Sequence, residues 1–279
     1  MAREANSRCK TLNTAGSAGK RYGLTSKYDN DDTPCSARVA RCCDYDVYDI
    51  LCSTSMAPLL RIRDLAEGQW GLFTLRQARA AGVQWRSLAR LADDGRIERV
   101  AHGVYRMRGG PEPDHLGLRA AWLQLDPAKA AWERLDEPDV AVVSHASAAS
   151  LFEVGDLRPD IHEFTLPKRQ QTRRSDVRLH RGRIPDNEVT ILHGLPTTRA
   201  GRLIGDLVAD NVEPGAVAQI AAEQLDRTYD SPTDVANILA PHAQRFGFRK
   251  GDGVGLMNYL LGLVEYRNRD LVVGEARSA

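Results

Sequence analysis

Beyond Cys52 the 279-residue chain has no cysteine: Cys9, Cys35, Cys42, Cys43 and Cys52 account for all five. Their spacings match no paired zinc pattern, and the adjacent Cys42 and Cys43 make a poor tetrahedral clip. No apolar run approaches the ~18–20 residues that span a bilayer, so no membrane contact is expected. The N-terminus lacks the apolar core of a signal peptide, and a cytoplasmic protein is the expectation. Seven histidines, at 102, 115, 145, 162, 180, 193 and 242, show no metal-ligand spacing such as His-Glu-x-x-His. Ser144 and His145 invite a nucleophile–base reading, but no Gly-x-Ser-x-Gly elbow surrounds them and adjacent residues rarely point at each other usefully. Ser144 is therefore expected to cap a helix, with His145 packed or exposed. His162, His180 and His193 are strand histidines that would meet on a sheet without doing chemistry. The glycine-rich run Gly251-Asp-Gly-Val-Gly lacks the Lys-Ser/Thr of a phosphate loop and follows no strand, so it reads as a turn leading into a helix. With these patterns missing, the chain is not expected to be an enzyme, nor to hold a metal or a cofactor.

Hydrophobic residues make up 42% and charged residues 27%, the balance of a soluble globular protein with room for one large core or two ordinary ones. The net charge of +1 conceals an uneven distribution. Residues 56–110 carry ten Arg against five acids, and 158–183 carry eight bases against three acids. Between and after them, 111–157 and 206–240 are acidic, with nine acids to three bases and seven to one. Basic blocks set among acidic ones suggest contact with a polyanion; for the second block, solvated surface is an equal alternative.

Residues 1–55 lack helical or strand periodicity and are rich in Ser, Asn, Asp and Thr, the composition of a disordered segment. A sharper reading makes Met56 the true start and the preceding stretch a mis-called extension. From Leu59 the pattern changes. A short helix runs to Gly68, and Thr74 caps a helix over 75–81. Gly82 gives a tight turn, and a second helix covers 84–94 with Leu88, Leu91 and Ala92 inward. Two short strands around Ala101-His102-Gly103 form a hairpin. The run 109–113, Gly-Gly-Pro-Glu-Pro, looks like a linker.

The expected fold class is α+β: an N-terminal winged helix-turn-helix over 59–108, then a mixed α/β domain over 114–270 with a helical C-terminal part. The last residues, 271–279, are expected to fray. In a helix-turn-helix the second helix reads the major groove with its N-terminal half. That half is Gln84, Trp85, Arg86 and Ser87, with Arg90 one turn on. Gln84 and Arg86 suit adenine and guanine edges; Trp85 is either a sugar or thymine-methyl contact or a partly buried core residue. The start of the preceding helix, Thr74, Arg76 and Gln77, offers backbone N–H groups and a charge to a phosphate. Arg96, Arg99, His102, Arg106 and Arg108 belong to the wing, where phosphate or minor-groove contact is expected. Lys168, Arg169, Arg173 and Arg174 form a candidate second basic surface, for DNA, tRNA or an acidic protein face.

Several blocks together resemble a known family. Gly71-Leu-Phe-Thr-Leu-Arg-Gln-Ala, Ala81-Gly-Val, Leu88-Ala-Arg-Leu, Asp94-Gly-Arg-Ile-Glu-Arg-Val and His102-Gly-Val-Tyr-Arg are similar to the N-terminal winged helix of AbiEi-type antitoxins, of type IV toxin–antitoxin systems. Val143-Ser-His-Ala-Ser-Ala-Ala, Glu163-Phe-Thr-Leu-Pro, Val177-Arg-Leu-His-Arg and Gly194-Leu-Pro-Thr-Thr-Arg-Ala-Gly-Arg-Leu-Ile-Gly-Asp-Leu resemble the second domain of actinobacterial members. The blocks span about residues 60–210. The resemblance implies a two-gene operon in which this chain represses its own promoter and neutralises a nucleotidyltransferase-like toxin, directly or indirectly. Some relatives carry a nuclease-like domain after the second region; no acidic residue followed by Glu-x-Lys in strand context is found here. The 55-residue lead departs from the family, whose winged helix begins near the start.

Three function classes follow: an autorepressing antitoxin; a stand-alone transcription regulator whose C-terminal domain senses a ligand or dimerises; and a nucleic-acid-processing enzyme using the 158–183 block. For the N-terminus, the mis-called-extension reading predicts that the protein made in its own cell has the intact mass of a chain starting at Met56. A species starting at Met1 contradicts it.

Overall fold

The computed structural model describes residues 59–158 and 160–278. The expectations for residues 1–55 and for a start at Met56 lie outside the described residues. The chain is mixed α and β, with more helix than strand. Among the described residues no helix is long and apolar enough to cross a membrane.

The first part is built from α1 (59–67), β1 (Leu72–Thr74), α2 (Leu75–Ala80), α3 (Trp85–Asp93), β2 (Ile97–Ala101) and β3 (Val104–Met107). The three strands form an antiparallel sheet in the order β1-β3-β2. Thr74 starts α2 through a capping box: its hydroxyl accepts from Gln77 N at 3.1 Å, and its own N–H donates to Gln77 Oε1 at 2.8 Å. Gly82 turns the chain into α3 at φ +84°, a conformation that a side chain would strain. A small core closes this unit, with Ile62, Ala66, Phe73, Ala78, Val83, Leu88, Ile97 and Tyr105 buried and the Phe73 and Tyr105 rings stacked at 5.6 Å.

The second part begins with α4 (Leu116–Leu125) and α5 (Ala131–Leu135). Then follow β4 (Val142–Val143), α6 (His145–Phe152), β5 (His162–Leu166), β6 (Val177–Arg181), β7 (Val189–Leu192) and β8 (Leu195–Thr198). The strands make a mixed sheet, β6-β5-β4-β8-β7, with β5–β6 and β4–β8 parallel and the other pairs antiparallel. The helical remainder is α7 (Ala200–Ala209), α8 (Pro214–Asp226), α9 (Pro232–Leu239), α10 (Gly253–Leu263) and α11 (Arg269–Ser278). The glycine run at 251–255 does lead a helix. Gly253 allows α10 to touch α9 so closely that a Cβ there would lie 1.8 Å from the Ala236 carbonyl oxygen. The expected frayed tail over 271–279 is corrected by α11: Val272 and Val273 are buried in the main core, and that burial holds the helix despite its polar composition.

Residues 109–113 connect the two parts but do not separate them. Side chains alternate across a strand, so the first sheet has two faces. Phe73 and Tyr105 face the small core, whereas Leu72 and Val104 belong to the large core of the second part. Helix α4 lies against all three strands. Polar side chains complete the join. Gln69, fully buried, donates to the Leu72 carbonyl at 2.9 Å and to Gln77 Oε1 at 2.8 Å, and accepts from Ala131 N at 3.1 Å. Gln77 Nε2 donates to the Lys129 carbonyl at 2.8 Å, and the Thr74 hydroxyl donates to the Pro127 carbonyl. Beside them Arg134 stacks over Trp122 at 3.5 Å and Arg119 over Trp70 at 4.6 Å, with the two indoles edge to face. Burial pulls the Arg134 guanidinium down to about 10.

Replacing Gln69 by Ala leaves Ala131 N and part of Gln77 without partners in a buried place. The expected cost is roughly 2–4 kcal/mol of unfolding free energy in a denaturant titration. An unchanged midpoint contradicts this account of the join.

Candidate nucleic-acid interface

Helix α3 has one buried side chain, Leu88, and a broad exposed face. Gln84, the N-cap residue, and Trp85, Arg86, Ser87 and Arg90 are all exposed. Of the two readings of Trp85, the structure gives the exposed one: 54% of its surface is open, and it joins neither core. A large indole left in water beside cations is a recurrent feature of contact surfaces. Arg76, Arg79, Arg86, Arg90 and Arg96 are exposed and make no ion pair among the described residues.

The hairpin cations are less uniform. Arg99 is exposed, and its guanidinium lies 3.0 Å from Nδ1 of the exposed His102. Arg106 is mostly covered, its side chain 12% exposed, and is held by Glu98. Arg108 shares the same carboxylate at 3.1 Å but remains open. Arg106 first, then Arg108, holds the Glu98 carboxyl below the usual glutamate range. Arg106 therefore acts as an internal counterion within the hairpin, and its expected DNA contact is corrected on that ground.

Two other expected contacts are corrected by burial. Thr74 is 0% and Gln77 4% exposed, and both side chains are spent on the join to residues 127–129. Most of the expected phosphate cradle at the start of α2 is also taken up. Thr74 N and Gln77 N serve the capping box, and Leu75 N donates to the Gly103 carbonyl at 2.8 Å. Only the exposed Arg76 remains from that group. In the second basic block, Lys168 pairs with Asp139 at 2.6 Å and Arg174 with Asp176, while Arg169 and Arg173 are exposed.

The histidines assemble differently from expectation. Ser144 makes no cap bond; its hydroxyl lies 2.9 Å from His145 Nδ1 and 2.8 Å from Thr165 Oγ1. The adjacent pair does face each other, because His145 sits at φ +53°. The His145 ring stacks on His180 at 3.6 Å, nearly parallel. His180 Nε2 in turn lies 3.2 Å from the buried Glu163 carboxylate, which also accepts from Ala146 N at 3.0 Å. His193 meets His115 at 5.7 Å, and His162 packs against Gly117, so His162, His180 and His193 are not brought together. Ser144 is 0% exposed, its hydroxyl enclosed with His145 and Thr165. Burial foremost, then the neighbouring His180, pushes the His145 pKa down. Burial alone would raise Glu163, but hydrogen bonds from His180 and Ala146 N outweigh it and hold the carboxyl low. No group of three or more His, Cys, Asp or Glu side chains is placed to hold a metal ion among the described residues.

Residues 60–108 match the family model described as transcriptional regulator, AbiEi antitoxin. That match supports the AbiEi-type resemblance carried by the same blocks of sequence. No curated protein matches the chain.

The buried His145 and three partly buried histidines give a pH prediction. His145, His115, His162 and His242 all have pKa values below the ordinary 6.5, with burial the leading cause. Below that value the unfolded chain takes up protons that the folded chain refuses, so stability is complete above it and falls on acidification. Denaturant midpoints should drop between about pH 7 and about pH 5.5, and less so in His145→Gln. A midpoint that rises over this interval contradicts the assignment.

Proposed function

We propose that residues 59–108 form a winged helix-turn-helix that reads duplex DNA through α3, and that the chain is the antitoxin of a toxin–antitoxin operon. In this reading it represses its own promoter and neutralises a nucleotidyltransferase-like toxin. The observation that carries the DNA half is the exposed face of α3, where Gln84, Trp85, Arg86, Ser87 and Arg90 stand clear of both cores. Arg86 offers a bidentate donor for guanine, Gln84 an amide for adenine and Trp85 an indole for sugar or methyl contact, with Arg90 one turn on. The match of residues 60–108 to an antitoxin regulator family supports the repressor role and the link to a toxin. Arg76, Arg96, Arg99, His102 and Arg108 serve as backbone contacts, since all are exposed beside that face or on the hairpin.

With about six phosphates contacted, affinity for the DNA upstream of its own gene should fall about three orders of magnitude from about 50 to about 200 mM salt. Arg86→Ala should remove the preference for that sequence and spare weak binding to unrelated duplex. A flat salt response, or sequence preference retained in Arg86→Ala, sinks the DNA reading. For the antitoxin half, co-expression with the neighbouring gene should rescue growth. Absence of rescue with intact promoter binding favours the stand-alone regulator.

A further inference from the structure

The hairpin tip and the second basic block are about seventy residues apart in sequence, yet one hydrogen-bonded path joins them. At the tip, the His102 carbonyl accepts from Gln124 Nε2 at 2.7 Å. Gln124 Oε1 accepts from Arg174 Nη1 at 2.6 Å. One residue further along α4, the Leu125 carbonyl accepts from Gln170 Nε2 at 3.0 Å. The end of α4 thus clasps the loop after β5 on one side and the hairpin on the other. The loop's charges divide into two sets. Lys168 and Arg174 have acidic partners in Asp139 and Asp176, whereas Arg169 and Arg173 are exposed and make no ion pair among the described residues. Across the clasp, Arg99 and His102 are exposed as well.

We propose that the loop 168–174 is a second contact on the same DNA duplex, with Arg169 and Arg173 meeting backbone phosphates beyond those reached from the hairpin tip. Gln170 and Arg174 are positioning residues that hold the loop against α4. This inference rests on the DNA reading of residues 59–108. The chemistry of the loop favours duplex over the other polyanions. Its side chains are Lys, Arg, Gln and Thr, the set that contacts phosphate and sugar. It has no aromatic side chain on which an unpaired RNA base would stack. Nor has it an apolar side chain to form the dry centre of a protein interface. The surface continuous with it is the one proposed to lie on duplex DNA.

The test uses the full chain, the double variant Arg169→Gln/Arg173→Gln, and the DNA upstream of its own gene. Losing two phosphate contacts should make the salt dependence shallower by nearly two units, so the affinity advantage of wild type shrinks about tenfold from about 50 to about 200 mM salt. The salt dependence of binding to unrelated duplex should become shallower by the same amount. In a hydroxyl-radical footprint, protection should vanish at the outer edge of the site and persist where α3 sits. Arg169→Lys/Arg173→Lys should restore both, which separates charge from folding. An unchanged salt slope and footprint overturn the proposal. Lost growth rescue with unchanged DNA binding also overturns it, assigning the loop to the toxin or to RNA. If the wild-type chain itself does not bind this DNA, the underlying reading fails and this proposal with it; that outcome is recognised before any variant is compared.

Discussion

Three buried polar side chains, Thr74, Gln77 and Gln69, tie the start of α2 to the segment 127–131. Each would be costly to bury alone, because an amide or hydroxyl stripped of water needs a partner. Each has a partner within the first part and gains a further one from residues 127–131 when the two parts are together. Gln69 makes the point most sharply: its amide nitrogen serves the first part, through Leu72 and Gln77, and its oxygen accepts from Ala131 of the second. Separating the parts would expose Leu72 and Val104 as well. Polar and apolar terms therefore act in the same direction, and both orient α2.

The orientation of α3 follows from that constraint. Helix α2 is fixed by its cap and by residues 127–129, and the turn at Gly82 passes its direction to α3. Leu88 anchors α3 to the small core, which leaves its polar face outward. The hairpin is fixed from the other side. Its tip bonds to Leu75 N and to Gln124, and Glu98 braces its strands through Arg106 and Arg108. A face held this way has little conformational freedom to lose on binding any partner, which lowers the cost of association.

Much of this was legible in the sequence, for local reasons. The caps at Thr74 and Gly82, the helical spacing of the apolar residues around Leu88 and the glycine at the hairpin tip each act within a few residues. What could not be read depends on distant partners. Thr74 looked equally suited to a phosphate and to a cap, and only the carbonyl of Pro127 decides against the phosphate. Trp70, Trp85 and Trp122 are alike as letters, yet Trp122 is buried, Trp70 half-buried against Arg119, and Trp85 open. Adjacent Ser144 and His145 face each other because of a left-handed backbone angle that composition does not signal. The closing helix α11 has no clear mark in the sequence, because Val272 and Val273 give it too short an apolar stripe to stand out, although the stripe is buried. Gln124 carried no signal at all, since its importance lies in touching two segments remote from it in sequence.

The unit 59–108 and the second part share a core and a buried polar join, so they should open as one body. Native-state hydrogen exchange tests it most directly, as it resolves opening free energies amide by amide. The most protected amides of α2 and β3 should exchange with the same opening free energy as those of α4. If residues 59–108 exchange through a distinctly cheaper opening while α4 stays protected, the two parts are independent modules on a linker, which contradicts a shared core.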